Sequence, residues 1–386
     1  MASALSQTRR LRIAILSRHF DARMGGAERY ATEVVDQLRL HHDCWVYCQS
    51  HQAMEGVHFQ VWRSPMKKPR WLALLLYAFW AKRSIGRNHD VVISNENAGF
   101  GQLQLVHVVP IRHALFASSS WHSIWRKMSW WFSPRLVTYL GLEWFRFRPQ
   151  PGRWLIAPSH MTGELLVADM GYSTDSVVVV EPGVKPVDAG VQRQGQALRE
   201  QLGLKTSDHV VLMVAHDLEK KGLPLVLRAM TQWPSEVHVV VVGEDGRLPH
   251  WQNLAQQMGC QHRLHLLGRC QELGAAYAVA NVLVHATQAD VYGMVLIEAM
   301  AHGLPVVCSP APFCGAAMGW QNGIDACLLS HPNDLQGLVH AVLNLRADPA
   351  LVERLVSRGR SRAAHQTWAR TGEAFLRLVQ EAKAKG

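Results

Sequence analysis

The feature that most constrains the fold of this 386-residue chain is an alternation of strand-like and helix-like segments that occurs twice. The first series runs from Leu11 to Glu181 and the second from Val210 to Cys308. The stretch Glu181-Pro-Gly-Val-Lys-Pro186 separates them, because two prolines and a glycine interrupt regular structure. Such alternation predicts parallel sheets with helices on both faces. We therefore expect an α/β protein with two doubly wound, Rossmann-like domains that face each other across a cleft.

The predicted domain boundaries follow from the same turn. Residues 1–183 are expected to form an N-terminal Rossmann-like domain, 184–207 a linker with a short helix, and 208–365 a C-terminal Rossmann-like domain. A tail helix, 366–386, could pack back on the first domain. The longest apolar run, 71–81, has about half the length needed to cross a bilayer, which predicts a buried helix. The expected strands are 11–17, 44–48, 91–94, 103–108, 154–157, 177–181, 210–215, 237–242, 264–268, 282–286 and 306–308.

Charge is distributed unevenly along the chain. The net charge of +10 comes from the first part, since residues 1–154 contain 21 Lys/Arg and 9 Asp/Glu and the remainder contains 19 and 21. A basic N-terminal half predicts an anionic partner, which could be nucleic acid, a membrane surface or a phosphorylated substrate. Seven cysteines without disulfide-like or zinc-like spacing, and a polar, basic start without a signal peptide, favour a cytoplasmic protein.

A basic, tryptophan-rich segment, 112–154, lies in the same half. Aromatic and basic residues alternate at near-helical spacing in its centre, which suits a membrane interface. The alternative is that these tryptophans pack in the core of the domain or line the acceptor groove. No nucleic-acid partner is expected, because no single-strand-binding module presents the aromatic residues. The residues expected to contact the membrane or the acceptor are Trp121, Trp125, Arg126, Lys127, Trp130 and Trp131.

Two carboxylates eight positions apart mark a junction between a loop and a helix in the second series. Asp290 precedes the predicted helix and Glu298 lies within it. A helix start offers free N–H groups to an anion, and carboxylates on either side suit the hydroxyls of a sugar or ribose. Asp290 could instead be an N-cap and Glu298 a surface residue. An unpaired carboxylate is rare among Val, Leu, Ile, Ala and Met, however, which favours a nucleotide-sugar site.

A lysine at a second helix start supports the same interpretation. Lys221, followed by Gly222, can neutralise a phosphate as a point charge, and the helix start adds N–H donors. A solvated basic turn is the alternative. Two phosphate-compatible loops at the same edge of one sheet favour a diphosphate site.

Taken in order, these motifs resemble the signature of family 4 retaining glycosyltransferases, which have the GT-B fold. The resemblance extends from about residue 13 to residue 310 and is strongest to the branch that glucosylates the heptose of the lipopolysaccharide core. The motifs that carry it are Asp290 with Glu298-Ala-Met-Ala-His-Gly-Leu-Pro-Val-Val, Lys221-Gly222, Gly243-Glu-Asp-Gly246, Leu266-Leu-Gly-Arg269 and Gly25-Gly26-Ala-Glu28.

The resemblance implies a role for each matching position. Glu298 would hold the donor ribose, Asp290 the transferred sugar, and Lys221 the leaving diphosphate. His107, at the end of a first-domain strand, would lie near the transferred sugar, so Asp290, Lys221 and His107 are the expected catalytic residues. The expected donor-binding residues are Gly25, Gly26, His216, Lys221, Arg269, Asp290, Gly293, Met294, Val295 and Glu298.

Three positions depart from the family pattern. His216 stands where the family often has Arg, five positions before the lysine, and Cys314-Gly315 stands where it has a glycine pair. Asp290 stands where the family usually has Glu. Its shorter side chain leaves the identity of the transferred sugar open.

The function implied by the resemblance is retaining transfer of a hexose from a nucleotide diphosphate sugar, expected to be a UDP-sugar. The expected acceptor is a phosphorylated glycolipid, the lipopolysaccharide inner core heptose, at the anionic inner face of the inner membrane. No metal or other cofactor is expected, since Lys221 and two helix starts could supply the electrostatic work of Mg²⁺. Front-face transfer is the expected mechanism, and a covalent intermediate on Asp290 is the alternative.

Two other functions remain open from the sequence. A sugar-nucleotide epimerase also uses two doubly wound domains, although no acid/base pair flanking the sugar can be assigned here. A non-catalytic, membrane-associated scaffold with a degenerate site is the other.

Overall fold

Two compact units make up the fold of this chain in a computed structural model. Unit 1 comprises Met1–Pro182 and Trp368–Gly386, and unit 2 comprises Gly183–Thr367. Each unit contains an extended parallel sheet, so the predicted class of two Rossmann-like domains is confirmed. The structure describes residues 9–66, 68–116, 133–168, 171–243, 246–270 and 273–385.

Unit 1 is built on a seven-stranded sheet. The strands described in unit 1, seven in this sheet and two in a separate pair, are β1 (Arg12–Leu16), β2 (His19–Phe20), β3 (Asp43–Cys48), β4 (Ser50–His51), β5 (Val57–Val61), β6 (Val91–Ser94), β7 (Leu103–Leu105), β8 (Trp154–Ala157) and β9 (Val177–Val179). The order across the sheet is β5-β3-β1-β6-β7-β8-β9, and every neighbouring pair is parallel. The short strands β2 and β4 pair separately. The helices between the strands are α1 (Gly26–Leu38), α2 (Arg70–Ile85), α3 (Ile111–Phe116), α4 (Pro134–Phe147) and α5 (His160–Ala168).

Three expectations for unit 1 are corrected by the structure. The edge strand β5 was not predicted, although Val57, Phe59 and Val61 alternate with polar residues as a strand pattern does, because the run is short and its residues are mostly exposed. Strand β7 ends at Leu105 rather than at residue 108. Helix α2 is only half-buried. One face of the helix packs on the sheet, and its opposite face is exposed to solvent, where Phe79 is 71% exposed. Within the described ranges, every helix is too short or too polar to cross a membrane.

Unit 2 is built on a six-stranded parallel sheet. Its strands are β10 (His209–Val214), β11 (Val237–Val242), β12 (Leu264–Gly268), β13 (Val282–His285), β14 (Val306–Cys308) and β15 (Cys327–Leu328). The order β12-β11-β10-β13-β14-β15 is that of the Rossmann fold. Its helices are α6 (Val191–Gln201), α7 (Leu223–Met230), α8 (Leu248–Gln257), α9 (Gly274–Val279), α10 (Met294–Ala301), α11 (Leu335–Ala347) and α12 (Pro349–His365).

The segment 184–207, predicted as a linker, belongs to unit 2. Helix α6 packs closely on α9, and a Cβ at Gly195 would lie 2.6 Å from the Cβ of Ala278. The polar composition of the segment, which suggests a linker, reflects the solvent-facing side of a surface helix. The two faces of the unit 2 sheet are each covered by buried apolar side chains from its helices.

The C-terminal helix α13 (Trp368–Lys385) completes unit 1. It packs on α1, where Gly372 lies against the Gln37 side chain. Phe375 is fully buried, and its ring lies 6.0 Å from that of Tyr30. The hydroxyl of Thr371 donates to the carbonyl of Glu181 at 2.9 Å. The tail is therefore part of the hydrophobic core of unit 1.

Substitution Phe375→Ala should destabilise unit 1 by about 3–5 kcal/mol, because it leaves a cavity between α13 and α1. The measurement is urea denaturation followed by circular dichroism. Phe79→Ala, the same change at an exposed position, is the matched control and should change the free energy of unfolding by less than about 0.5 kcal/mol. Equal effects of the two substitutions would contradict the packing of the tail.

Candidate functional site

The strand order of unit 2 brings two loops together at one edge of the sheet. Strands β10 and β13 are neighbours, and from them the chain proceeds to opposite sides, with β11 beside β10 and β14 beside β13. The loops that follow β10 and β13 therefore leave the carboxyl edge at the point where the strand order reverses. Open parallel sheets bind their ligands at this point.

Close packing joins these two loops. The backbone N–H of Gln288 donates to the carbonyl of Lys220 at 2.9 Å. Gly222 has a φ of +95°, and a Cβ at this position would lie 2.5 Å from the carbonyl oxygen of Ala286. Only glycine satisfies both conditions, because other residues rarely adopt this backbone conformation and would collide with the neighbouring backbone. The sequence Lys221-Gly222 thus places the lysine directly against the loop that carries Asp290.

Asp290 is the centre of a polar cluster. Its Oδ2 lies 2.6 Å from the Nζ of Lys221 and 3.0 Å from the Nε2 of His285, and its Oδ1 accepts the N–H of Tyr292 at 3.3 Å. Lys221 also donates to the carbonyl of Ala289 at 3.3 Å. The structure therefore brings together two of the three expected catalytic residues, Asp290 and Lys221.

The cluster fixes the ionisation of its members. Burial alone would raise the pKa of the Asp290 carboxyl, but the hydrogen bond from His285 and the charge of Lys221 outweigh it and hold that pKa well below its usual range. Burial lowers the pKa of His285, so its ring is neutral near pH 7 and donates Nε2–H to the carboxylate. The ionised carboxylate stabilises unit 2 at pH values above about 4, and this contribution is lost as the pH falls through the depressed pKa.

Helix α10 begins immediately beyond the cluster. Gly293, its N-cap, has a φ of +97°, and a Cβ there would lie 3.0 Å from the Sγ of Cys314. The first-turn N–H groups of Met294 and Val295 have no partner within the helix, as in any helix start. Burial raises the pKa of Cys314 to about 12, so it remains a neutral thiol that donates to the Tyr292 carbonyl at 3.3 Å.

Glu298 is buried inside the same helix. One carboxylate oxygen, Oε2, accepts the hydroxyl of Tyr277 at 2.7 Å, and the Tyr277 ring is stacked on His302 with 4.8 Å between centroids. The alternative of a surface carboxylate is therefore wrong for Glu298. The sequence places this residue among apolar neighbours, and the structure supplies a phenol from α9 that orients it.

The remaining donor-site candidates of unit 2 lie at the same edge of the sheet. His216 follows β10, Arg269 follows β12, and both are exposed. Gly243, the first residue of the motif 243–246, follows β11, whereas residues 244 and 245 lie outside the described residues. The loops after β10, β11 and β12 thus leave the same edge of the sheet as the loop that carries the cluster. The roles of these residues in binding stay predictions.

The unit 1 candidates lie at the corresponding edge of their own sheet. Gly25 is the N-cap of α1 in an extended conformation that any residue can adopt, and Gly26 is the first residue of that helix. His107 follows β7, half-buried, with its ring 4.8 Å from that of Tyr30. Burial, assisted by Arg146, lowers the pKa of His107 to about 3. His107 is therefore a neutral ring near pH 7.

The residues predicted to contact a membrane or an acceptor, Trp121, Trp125, Arg126, Lys127, Trp130 and Trp131, lie outside the described residues. Two other tryptophans of the segment 112–154 are described. Trp154 is buried in β8, as the core-packing alternative requires, and Trp144 on α4 is 56% exposed. The segment therefore combines core and surface tryptophans.

Two polar residues of the site were not found from the sequence. His285 ends a strand that is otherwise apolar, and its buried side chain is 3% exposed. A histidine in an apolar run, five positions before a candidate carboxylate, is a signal that could have identified it. Tyr277 had no such signal, because a tyrosine on an apolar helix face is common in protein cores. Among the described residues, no group of three or more His, Cys, Asp or Glu residues has the geometry of a metal site.

Comparison with known proteins gives two family matches. Residues 195–362 match the model for glycosyl transferases group 1, and residues 24–187 match the model for glycosyltransferase family 4. The lipopolysaccharide glucosyltransferase WaaG of Escherichia coli K12 is 25% identical over 146 residues, which is 36% of this chain and 38% of WaaG. A D-inositol 3-phosphate glycosyltransferase of Corynebacterium aurimucosum is 29% identical over 213 residues, or 52% of this chain and 49% of that protein. The chain thus aligns with half or less of the length of these relatives.

Solved structures match over nearly the whole chain. The crystal structure of WaaG, a glycosyltransferase involved in lipopolysaccharide biosynthesis, has a TM-score of 0.81 at 17% identity and covers 95% of this chain and 99% of its own. Anabaena HepE, solved in complex with UDP and glucose, has a TM-score of 0.74 at 17% identity and covers 96% of this chain and 99% of its own. At this identity the likeness establishes the fold, which is GT-B.

Substitution Gly222→Ala should destabilise unit 2 by at least about 2 kcal/mol, since the left-handed backbone alone costs an alanine about 1–3 kcal/mol and the new methyl group meets the Ala286 carbonyl. The free energy of unfolding, measured by urea denaturation, tests this. Gly141→Ala is the matched control, because a Cβ within α4 has no atom within 4 Å. The free energy of unfolding of the Gly141→Ala variant should rise by up to about 1 kcal/mol. A neutral Gly222→Ala variant would contradict the close packing of the two loops.

Proposed function

This chain belongs to the glycosyltransferases that join a family 4 domain to a group 1 domain, and we propose that it transfers a hexose from a nucleotide diphosphate sugar to a glycolipid, with retention of anomeric configuration. The observation that carries the proposal is the cluster of Lys221, Asp290 and His285 beside two helix starts. UDP is the proposed nucleotide. The relative HepE, which shares the fold, was solved with UDP and with UDP-glucose.

The donor is proposed to be held from both ends by carboxylates. Glu298, oriented by Tyr277, accepts hydrogen bonds from the ribose hydroxyls. Asp290 accepts them from the hydroxyls of the transferred hexose, and its depressed pKa keeps it an acceptor throughout the physiological range. His285 positions Asp290 and does not itself contact the donor. The N–H groups of Met294 and Val295, together with His216 and Arg269, complete the part of the proposed donor site that unit 2 contributes.

Lys221 is proposed to neutralise the diphosphate as it leaves. Its ammonium group already lies at the edge of the sheet where the start of α10 provides N–H donors. The start of α7 does not provide them, because the Leu223 N–H donates to the Leu218 carbonyl at 2.9 Å and the next residue is a proline. Since Asp290 is its partner in the absence of donor, the lysine is held in place before the charge develops. The transfer is proposed to need no metal ion, because this fixed cation and the start of α10 supply the stabilisation of negative charge.

The proposed reaction is a front-face substitution at the anomeric carbon. The bond from this carbon to the donor phosphate oxygen breaks, and the bond to the acceptor oxygen forms on the same face. The acceptor hydroxyl proton passes to the leaving phosphate, which gives the glycoside and a nucleoside diphosphate. A covalent intermediate on Asp290 is disfavoured, because His285 and Lys221 both bind Oδ2 and reduce its nucleophilicity. His107, neutral near pH 7, is proposed to contact the transferred hexose.

Substitution Lys221→Ala should lower kcat for hexose transfer by about 10²–10³, because a preorganised cation facing the leaving diphosphate is lost. The measurement is release of UDP from a panel of UDP-hexoses in the presence of a lipopolysaccharide core acceptor. Lys220→Ala, which removes the same charge from the exposed neighbouring position, is the matched control and should keep wild-type kcat.

Equal loss in both variants would show that net charge, rather than the position of Lys221, is responsible. Activity that disappears with EDTA and returns with Mg²⁺ would overturn the metal-independent part of the proposal. If the protein converts the donor sugar to its epimer when no acceptor is present, the proposed activity would be epimerisation rather than transfer.

We propose that the glycolipid acceptor is reached at the inner face of the inner membrane, with unit 1 on the anionic surface. Helices α2 and α4 lie against each other and expose Phe79, Val137, Trp144 and Phe145. The Arg148 guanidinium lies 5.3 Å from the Trp144 ring centroid, which combines a cation with an apolar surface. The excess of Lys and Arg in residues 1–154 adds attraction to anionic lipid. The lipopolysaccharide inner core heptose is the proposed acceptor.

Sedimentation with vesicles tests the membrane proposal. The full chain should bind vesicles that contain anionic lipid, and binding should weaken as salt increases. Phe145→Ser should weaken binding about tenfold, since an exposed ring that inserts into the interface is removed. Ile324→Ser, an equally exposed apolar position in unit 2, is the control. Binding that does not depend on anionic lipid would contradict the electrostatic contribution.

A further inference from the structure

Unit 1 contains a cavity of about 220 Å³, whereas the cluster around Asp290 belongs to unit 2. It opens beyond the carboxyl ends of β1, β3 and β5, where the loops after these strands meet the start of α2. This is the edge at which parallel sheets bind ligands. The residues that line it are Arg18, His19, Gln49, Ser64, Met66, Arg70 and Ala73.

The cavity is basic and its cations are placed in two different ways. Arg18 is held by the Glu96 carboxylate, which accepts hydrogen bonds from the Arg18 Nε–H at 2.8 Å and from the Arg18 backbone N–H at 2.9 Å. Arg70, at the first position of α2, is exposed and has no acidic partner among the described residues. None of the described residues that line the cavity carries a carboxylate. Two arginines thus line the cavity, Arg18 in an ion pair with Glu96 and Arg70 exposed without such a partner among the described residues.

The start of α2 adds to this positive character. The helix has sixteen residues, no acidic residue in its first turn and no side-chain cap at Pro69. Its first N–H groups and its dipole are therefore not neutralised by the protein itself. Ser64 and His19 supply further polar groups on the wall, and the His19 Nδ1 lies 2.8 Å from the Ser50 hydroxyl, which fixes the ring.

The volume limits what the cavity can hold. It is smaller than the roughly 300–1,000 Å³ of sites that enclose whole ligands. A phosphate group with part of the sugar that carries it fits this space. Two guanidinium groups match phosphate oxygens in geometry and charge.

We propose that this cavity, the Arg18–Arg70 cavity, binds a phosphate monoester carried by the acceptor sugar. The identification of the ligand as the acceptor rests on the proposed function. The binding of a phosphate in this cavity does not depend on it. An acceptor held by its phosphate would be selected over an unphosphorylated sugar. Unit 1 would thus contribute charge recognition of the acceptor.

Calorimetric titration of the full chain with glucose 6-phosphate tests the proposal. Saturating UDP is present, so that any phosphate site at Lys221 is occupied. UDP binding is measured first, and its absence would count against the proposed function while the sugar phosphate titration remains interpretable. Wild-type protein should bind glucose 6-phosphate and not glucose, and inorganic phosphate should compete.

Substitution Arg70→Gln should weaken glucose 6-phosphate binding at least tenfold, because the available guanidinium is lost. Arg83→Gln, at an exposed position in the last turn of the same helix, removes an equal charge and should retain wild-type affinity. Equal affinity in wild type and Arg70→Gln, or equal loss in both variants, would overturn the assignment. Loss of vesicle binding in Arg70→Gln without loss of glucose 6-phosphate binding would overturn it in favour of a lipid headgroup.

Discussion

The lateral pairing of β10 with β13 is the constraint on which the candidate site depends. Because these strands are neighbours and the chain leaves them in opposite directions, their loops converge at one edge of the sheet. Gly222 then allows the first loop to contact the backbone of the second. The positions of Lys221 and Asp290, 69 residues apart in sequence, follow from these two facts.

A carboxylate buried at such an edge is unfavourable unless it is paired and hydrogen-bonded. Asp290 meets this requirement with a neutral donor, His285, and a cation, Lys221. The difference in charge between these two partners has a chemical consequence. In the proposed reaction, His285 would hold the carboxylate without changing charge, whereas Lys221 would turn to the diphosphate of the donor. The proposed donor site would therefore be stable both before and after the donor binds.

Much of the fold followed from the sequence, because a parallel sheet buried on both faces leaves a strong apolar signal in strands such as β10 and β11. The two carboxylates and Lys221 could be found since their motifs are local. The partners of these residues could not. His285 and Tyr277 act through contacts set by tertiary packing. The exposed edge strand β5 carries only a five-residue alternation of apolar and polar residues, a much weaker signal than that of the buried strands. The assignment of 184–207 to unit 2 likewise depends on contacts with α9 that composition does not reveal.

Unit 1 is discontinuous in sequence, because α13 returns to it after the whole of unit 2. During synthesis, which proceeds from the N-terminus, every residue of unit 2 leaves the ribosome before the helix that covers α1 does. The surface around Tyr30 that α13 later buries therefore stays open to solvent for the time needed to translate 185 residues, Gly183–Thr367. Nascent unit 1 would be a client for chaperones during that interval, and a ribosome that stalls within unit 2 would leave an aggregation-prone fragment.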